Sequence, residues 1–255
     1  MSTSPSHSPT DREPAAGSHP RSDLLRGARS ALRGPVGVLA AILLVDAAVF
    51  GLGVLTEVTG RNTVYFDLEE EQNLPSWVST LQLAGVALTA GIYALLSTRR
   101  VRLGMGALAL IFAFLSLDEF VEIHEEVIQR VTNSSTADPW YWPVFYSPLL
   151  LVLMASAAVF VVEHRRLFGS VVAPVAALAL LVAPVALDSV ATQLKGLPVL
   201  LTISVTLEEA LELCGGAFLV FVLLRMVSAR VTWERAPTPD ARKGSFEGRD
   251  RAAGA

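Results

Sequence analysis

The sequence predicts an all-α fold, a polytopic membrane bundle of six transmembrane helices, and three observations support this prediction. The 255 residues are 52% hydrophobic with a mean hydropathy of +0.50, which is too apolar for an ordinary soluble domain. Six apolar segments are close to or longer than the roughly 20 residues that a helix needs to cross a bilayer. Apolar and polar residues do not alternate with a period of two, so a transmembrane barrel is disfavoured.

Polar loops separate the predicted spans, and a polar tail lies at each end of the chain. The spans are Val36–Val58, Pro75–Leu96, Leu103–Val127, Val144–Val162, Leu167–Leu187 and Pro198–Val227. Residues 1–34 are rich in Ser, Pro and Arg and predict a disordered tail, and residues 228–255 predict a second one. The transmembrane domain then covers residues 35–227. Pro75 is expected to open the second span, with Asn73 as its cap.

Positively charged residues indicate the side on which each loop lies. Seventeen of the twenty Lys and Arg residues are in the N-terminal tail, in the loops after the second and fourth spans, and in the C-terminal region from Arg225 onwards. Since cytoplasmic loops carry the excess of these residues, we expect both termini in the cytoplasm. The lipid bilayer is therefore the expected partner, and we expect no nucleic-acid partner. The single cysteine, Cys214, excludes an intrachain disulfide and is expected to be a small core residue.

Acidic residues cluster near the outer ends of the third and sixth spans. A helical rise of about 1.5 Å per residue places Asp118 about 24 Å above Arg102 and Glu212 about 20 Å above Arg225. The acids of each span share one helix face, which we expect to point into the bundle interior or a water-filled cavity. The candidate metal ligands are Asp118, Glu119, Glu122, His124, Glu125, Glu208, Glu209 and Glu212, and Asp188 is a further candidate at the end of the fifth span.

So many carboxylates at one level need a bound cation, protonation or hydration. Oxygen ligands favour Ca²⁺, Mn²⁺ or Mg²⁺, and His124 would also suit Fe, so a divalent metal of this group is the expected cofactor. A three-histidine zinc site is disfavoured because only His124 is available at this end. A di-iron carboxylate site is disfavoured because the sequence has no Glu-x-x-His pair.

The two acidic stretches also resemble each other. Residues 116–123, SLDEFVEI, align with residues 206–213, TLEEALEL. With three spans in each half, the halves would have opposite topology. This pattern suggests a 3+3 inverted repeat with the candidate site between the third and sixth spans.

Two motifs resemble a family of bacterial multi-span membrane proteins. The first is E-x-N-x-P-[ST]-W ahead of the second span, and the second is S-L-D-E…H-E at the end of the third. The matching residues are Glu71, Asn73, Pro75, Ser76 and Trp77, then Ser116, Leu117, Asp118, Glu119, His124 and Glu125. The resemblance extends over about residues 36–227. It implies an inner-membrane architecture and adds Glu71 and Asn73 to the candidate site, but it implies no reaction.

Three classes of function remain open at this point, and no catalytic residue is predicted. The first is a cation- or proton-coupled transporter that uses the acidic site. The second is a metal-dependent membrane enzyme that acts on a lipid or isoprenoid substrate. The third is a structural or sensory membrane subunit. The expected ligand is a small cation or a lipid-like molecule.

Overall fold

The computed structural model of the chain describes residues 20–59, 73–121, 123, 141–191 and 197–235. Within these ranges the chain forms only α-helices, so the predicted all-α class is confirmed. In chain order the helices are α1 (Pro20–Thr59), α2 (Leu74–Leu95), α3 (Arg99–Val121), α4 (Tyr141–Phe168), α5 (Val172–Ala191) and α6 (Pro198–Arg235).

Most of these helices have the length and composition of membrane spans. Among the described residues, five helices are long and apolar enough to cross a membrane, and the apolar part of the remaining helix, α5, is shorter. The five stretches are Gly34–Thr56, Leu74–Leu95, Arg99–Val121, Ser147–Phe168 and Val199–Trp233. The helices therefore agree with a multi-pass membrane bundle.

The N-terminus of α2 is built as the sequence predicted. Asn73 is the N-cap residue, and its Oδ1 accepts a hydrogen bond of 2.8 Å from the backbone N–H of Ser76. Pro75 lies in the first turn, where its missing N–H costs no helical hydrogen bond. The predicted cap and the predicted start of this helix are both confirmed.

Several helix borders differ from the predicted ones. Helix α1 begins at Pro20 and α6 ends at Arg235, so both continue into residues that we expected in the tails. These extensions contain many good helix formers, among them Ala, Leu and Arg, which continue a helix without needing an apolar environment. Cys214, expected in the core, is exposed on α6, because its neighbours on the other faces make the helix contacts.

The turn between α4 and α5 is also displaced from its predicted position. Helix α4 continues to Phe168 rather than ending at Val162, so Arg165 and Arg166 lie in its last turn and not in a loop. Gly169 ends the helix with φ of 70°, a left-handed conformation that glycine adopts readily. Its N–H donates a hydrogen bond of 2.7 Å to the carbonyl of Arg165. Cationic side chains are favourable at a helix C-terminus, so they do not stop the helix.

Helices α2 and α6 occupy the centre of the bundle. Helix α2 packs extensively against α3 and α6, while α6 also packs against α5 and α1, and α4 packs mainly against α3. The shared apolar core includes Val86, Tyr93, Met105, Phe112, Phe160, Leu219 and Leu223. We call the two ends of the bundle the carboxylate end and the arginine end. The first holds Asp118, Glu119, Glu208, Glu209 and Glu212, and the second holds Arg99, Arg102, Arg165, Arg166, Arg225 and Arg230.

Helix packing only partly follows the symmetry of an inverted repeat. In a 3+3 repeat, α1, α2 and α3 correspond to α4, α5 and α6 in that order. The contact between α2 and α3 then corresponds to the contact between α5 and α6, and the contact between α1 and α6 corresponds to the contact between α4 and α3. The α2–α6 contact has no counterpart, since α3 and α5 do not pack together within the described ranges. In the same ranges α3 and α6 do not pack directly on each other, and α2 contacts both. The repeat stays a prediction, and α2 takes the place beside α6 that we expected α3 to occupy.

Candidate functional site

A stripe of polar side chains follows the buried face of α2. Ser79, Gln82, Thr89 and Tyr93 are each at most 6% exposed. At about 100° per residue they fall within about 80° of the helix circumference, and they span about 21 Å along its axis. These residues were not among the predicted site residues, although their spacing is the signal that could have revealed them. Its members contact three other helices, so α2 links the polar groups of the bundle.

At the carboxylate end, α2 is joined to α6 through a predicted site residue. The hydroxyl of Ser79 donates a hydrogen bond to Oε1 of Glu212. We expected the acids of α6 to face α3, whereas Glu212 faces α2, because α2 is the direct neighbour of α6. The nearest polar partner of this carboxylate is therefore a neutral hydroxyl.

A second contact joins α2 to α1 on the same face. The Nε2 of Gln82 donates a hydrogen bond of 2.7 Å to Oδ1 of Asp46. Both residues are buried, with exposed fractions of 6% for Gln82 and 5% for Asp46. Asp46 Oδ2 and Gln82 Oε1 are also buried, and neither has a hydrogen-bond partner in the described part of the chain. Buried acceptor oxygens of this kind are costly unless a hydrogen-bond donor, a proton or a cation satisfies them.

Two consecutive glycines let α6 approach its neighbours at this level. A Cβ atom at position 216 would overlap the side-chain oxygen of Gln82, so only glycine leaves room for that amide. A Cβ atom at position 215 would lie 3.1 Å from the backbone of Leu180 in α5. The close approach of α6 to α2 and α5 therefore depends on small residues, as is common between transmembrane helices.

The acids of α3 and α6 are brought towards each other. Glu209 lies within electrostatic range of Glu119 on α3 and of Glu208 and Glu212 on its own helix. Asp118 is buried, with an exposed fraction of 5%. At least one acid of each helix thus lies at this end of the bundle within electrostatic range of the other, although the helices themselves do not pack together in the described ranges.

Helix α3 is fixed beside α2 at this end by a hydrogen bond and an aromatic contact. The hydroxyl of Ser116 donates a bond of 2.9 Å to the carbonyl of Thr80. The rings of Trp77 and Phe120 meet edge to face with their centroids 5.4 Å apart. These contacts hold the acidic end of α3 against the start of α2.

Some predicted site residues lie outside the described residues. These are Glu71, Glu122, His124 and Glu125. Asp188 belongs to α5, but its side chain is also outside the described set. Asn73 serves as the cap of α2, where it is 2% exposed. Within the ranges that the structure covers, no three His, Cys, Asp or Glu side chains come together as a group that could hold a metal.

A second polar cluster, which the sequence analysis missed, lies at the arginine end. The hydroxyl of Tyr93 donates a hydrogen bond of 3.0 Å to Oε1 of Glu163 on α4. Arg166 Nη1 donates one of 3.2 Å to Oε2 of the same carboxylate. Glu163 is 6% exposed, and both of its oxygens are occupied. The predicted fourth span ended at Val162, one residue before it.

His164 and Arg225 complete this cluster around the ring of Phe168. His164 is 2% exposed, and its Nδ1 donates a hydrogen bond of 2.8 Å to the carbonyl of Ser170. Its ring centroid lies 4.7 Å from that of Phe168. The guanidinium carbon of Arg225 also lies 4.7 Å from the Phe168 centroid, and 5.7 Å from that of Phe221, so this cation is stabilised by two aromatic faces.

An apolar layer separates the two polar clusters. Val86 and Ala90 occupy the face of α2 between Gln82 and Tyr93, and both are fully buried. Thr89 lies at the level of Ala90, but its hydroxyl donates a hydrogen bond of 2.6 Å to the carbonyl of Gly85 on its own helix. Buried side chains of α6 complete the layer at the same level, and they are Leu219, Val220 and Leu223. The polar stripe of α2 is therefore interrupted in the middle of the bundle.

Comparison with known proteins gives a family match over most of the chain. Residues 36–227 match a family described as "Domain of unknown function (DUF8692)". Neither a curated protein nor a solved structure matches the chain. The matched range contains all of the site residues described above and omits both predicted tails. The resemblance to bacterial proteins with the two sequence motifs stays a prediction. Because the match covers more than half of its residues, the chain belongs to the DUF8692 family.

Proposed function

We propose that the protein is a multi-pass integral membrane protein that binds a proton or another cation at the carboxylate end and transports it. The observation that carries this proposal is the contact between Asp46 and Gln82. It joins two helices, it is buried, and it leaves one oxygen on each side chain without a hydrogen bond within the described residues. Oxygen acceptors in a buried site are the groups that bind protons and hard cations.

The placement of these acids inside apolar helices supports a functional role. An acid at the centre of a membrane helix costs roughly 2.5–3.5 kcal/mol in insertion measurements, so such residues are rare and usually serve ion or proton pathways. Helix α1 has no Lys or Arg after Arg33, and α6 has none before Arg225. These helices therefore bring no counter-charge of their own to Asp46 and Glu212. A proton or a bound cation supplies it.

The arrangement along α2 supports transport rather than static binding. Polar side chains lie on the same face at both ends of this helix, and an apolar layer separates them. Such a layer prevents a continuous leak between the carboxylate end, where the ion binds, and the arginine end. Close packing at Gly215 and Gly216 places α6 directly against α5 and against the Gln82 side chain of α2.

We propose further that the carboxylate end faces outward from a bacterial inner membrane and that both termini are cytoplasmic. The distribution of basic residues supports this orientation, since seventeen of the twenty Lys and Arg residues fall on one side of the predicted topology.

The test of this proposal is flux through proteoliposomes that enclose a pH-sensitive dye, with an imposed gradient of protons, Na⁺ or K⁺. The Asp46→Asn and Glu212→Gln variants keep the side-chain shape and remove the charge. We expect each to lower the flux by about tenfold or more, because the bound cation loses its counter-charge. Glu163→Gln is the matched control at the arginine end, and its flux per folded protein should stay within about twofold of wild type. Flux that is unchanged in the Asp46→Asn, Glu212→Gln double variant would contradict the proposal.

Metal binding is a second candidate, and the electrostatic proximity of Glu119 and Glu209 favours it. A divalent ion such as Ca²⁺, Mn²⁺, Mg²⁺ or Fe²⁺ would draw on the acids of α3 and α6, with the predicted ligands Glu122, His124 and Glu125 completing the set. Elemental analysis of the detergent-purified protein tests this candidate. Near-stoichiometric metal that a Glu119→Gln, Glu209→Gln variant loses would support it and would favour a metal-dependent activity on a lipid or isoprenoid substrate. Equal metal content in both proteins would contradict it.

A further inference from the structure

The side chains of Asp46 and Gln82 are joined by one hydrogen bond, which leaves an unpaired acceptor oxygen on each. The Nε2 of Gln82 donates to Oδ1 of Asp46 over 2.7 Å. Asp46 Oδ2 and Gln82 Oε1 are buried and have no hydrogen-bond partner within the described residues. Each unpaired oxygen is bonded to the same carbon as an atom of the existing hydrogen bond. The pair therefore consists of a planar carboxyl group and a planar carboxamide, each with one acceptor still to be satisfied.

Helix α6 packs closely against the amide of Gln82. A Cβ atom at position 216 would overlap Oε1 of Gln82, so this oxygen lies against the bare backbone of Gly216. Asp46 on α1 accepts the hydrogen bond of the same amide. Both side chains are buried, so contacts with two other helices hold the amide where the structure places it.

The groups described around Asp46 are neutral or acidic. Helix α1 packs against α6 and α2 in the described ranges. Helix α2 contains no charged residue and contributes the neutral Gln82. On α6, the thiol of Cys214 lies within electrostatic range of Asp46, and Glu212, one turn before Gly216, is itself an acid. None of these groups brings a positive charge that would compensate an ionised Asp46.

A proton fits this pair better than a metal ion does. Hard divalent cations take about six to eight oxygen ligands in proteins. The pair offers two unpaired oxygens, and neither is exposed to water that could complete such a shell. A single hydrogen atom satisfies both oxygens, because a neutral carboxyl group donates through its O–H. Removing a carboxyl group from water also disfavours its charged form.

We infer that the cation bound here is a proton, carried on Oδ2 of Asp46, and that the resulting O–H group donates a hydrogen bond to Oε1 of Gln82. This inference rests on the proposed function and selects the proton among the cations that it allows. The neutral pair then has two reciprocal hydrogen bonds. Transfer of the proton from Oδ2 to a water molecule breaks the second bond, keeps the first and leaves a negative charge on Asp46. Gln82 is a positioning residue, since it holds the acid without exchanging the proton itself.

Infrared spectroscopy of the purified protein at neutral pH tests this inference, because the C=O stretch of a neutral carboxyl group is separate from the bands of ionised carboxylates. The difference spectrum between wild type and Asp46→Asn should contain one neutral carboxyl band that shifts in D₂O. Glu212→Gln is the matched control and should leave the Asp46 band in place. A difference spectrum without this band would overturn the inference.

Variants of the acceptor test the reciprocal bond. Gln82→Met keeps the length of the side chain without its amide, so the Asp46 band should move to higher frequency as the carboxyl group loses its hydrogen bonds. Gly216→Ala displaces Oε1 and should move the band in the same direction, whereas Gly106→Ala, where a Cβ atom meets nothing within 4 Å, should not. A band that keeps its position in folded Gln82→Met and Gly216→Ala would overturn the inference.

Added salt and the flux measurement separate this inference from the function on which it rests. We expect Na⁺, K⁺ and Ca²⁺ to leave the band unchanged, because none of them displaces the proton. If an added ion removes the band and the flux of that ion depends on Asp46, the inference is wrong and the proposed function stands. If the band persists but no flux depends on Asp46, the proton is bound as inferred and the proposed transport is wrong. If the band and the proton flux are both lost in Asp46→Asn, both are supported.

Discussion

The two ends of the bundle each hold a buried carboxylate that contacts α2, but the two carboxylates are satisfied differently. At the arginine end, Glu163 accepts hydrogen bonds from Tyr93 and Arg166, one on each oxygen. At the carboxylate end, Asp46 accepts one bond from the amide of Gln82, and its other oxygen has none within the described residues. A carboxylate with both oxygens occupied by donors serves to hold helices together, whereas one with a vacant acceptor keeps the capacity to bind.

The two carboxylates also differ in their access to water and in the charge of their hydrogen-bond donors. The side chain of Arg166 is 71% exposed, so the ion pair at Glu163 reaches the surface of the bundle. Asp46 lies thirteen residues from Arg33, or about 20 Å along α1, and its donor Gln82 is neutral. In this molecule, a structural acid therefore differs from a candidate binding acid in how fully its oxygens are hydrogen-bonded, and not in burial alone.

The largest expected effect on stability is at Gly216, which makes room for the Gln82 amide. Gly216→Ala should lower the free energy of unfolding by about 1–3 kcal/mol, because the added methyl group overlaps that side chain. Unfolding by SDS in mixed micelles, followed by circular dichroism, measures the change. Gly106→Ala is the matched control, since a Cβ atom there meets nothing within 4 Å. Equal losses in the two variants would show that the contact with Gln82 is not the cause.

Amide substitutions test the comparison of the two carboxylates directly. Glu163→Gln should cost about 1–2 kcal/mol, because the hydrogen bonds with Tyr93 and Arg166 lose their charged acceptor. Asp46→Asn should change stability by no more than about 0.5 kcal/mol, since the bond from Gln82 survives and the new NH₂ takes the place of an unpaired oxygen. The same micelle titration applies to both variants. A larger loss for Asp46→Asn would reverse the proposed roles.

Removing a single hydroxyl group should lower stability by a smaller amount. It also tests whether a loss of stability and a loss of cation flux occur in the same variants. Tyr93→Phe removes one donor to Glu163 and should cost about 1 kcal/mol without changing cation flux. Ser79→Ala removes the donor to Glu212 and should cost about 0.6 kcal/mol, the typical value for a polar contact between membrane helices. Only Ser79→Ala should alter the flux in proteoliposomes. A flux defect confined to Tyr93→Phe would place the transport site at the arginine end.

Much of the fold was predictable because it depends on length and composition. Each helix is an apolar run bounded by polar residues, and these runs are visible without any knowledge of packing. The prediction failed at the end of α4, where Glu163 and Arg166 were taken to lie beyond the span. Those charges belong to the helix because they pair with each other and with Tyr93. The pair of Glu163 and Arg166 is a local i,i+3 contact, whereas the contact with Tyr93 is distant in sequence and leaves no mark near Glu163.

The candidate site was predictable only in part. Glu209 and Glu212 stood out because apolar residues flank them on both sides. Their neighbours on α2 did not, since Ser79 and Gln82 are neutral residues of common types. Which helix lies beside α6 is decided by packing, in which glycines at 215 and 216 admit close neighbours. The regular spacing along α2 is the sequence signal that would have directed attention to Ser79 and Gln82.

The smallest expected effect on stability is that of removing the charge of Arg166. The way in which this loss changes with salt is a further test of the difference between the two ends. Arg166→Gln should cost less than about 1 kcal/mol, because the side chain is 71% exposed and its ion pair with Glu163 is screened by water. Raising the salt concentration should shrink the stability difference between wild type and this variant, since a screened surface charge loses its attraction. Gln82→Ala removes a contact that is fully buried at the other end, so its cost should stay constant in the same titration. The stability losses of Arg166→Gln and Gln82→Ala can be compared at each salt concentration. If the two losses change equally with salt, the two ends share one electrostatic environment, and Asp46 and Glu163 do not differ in the way described above.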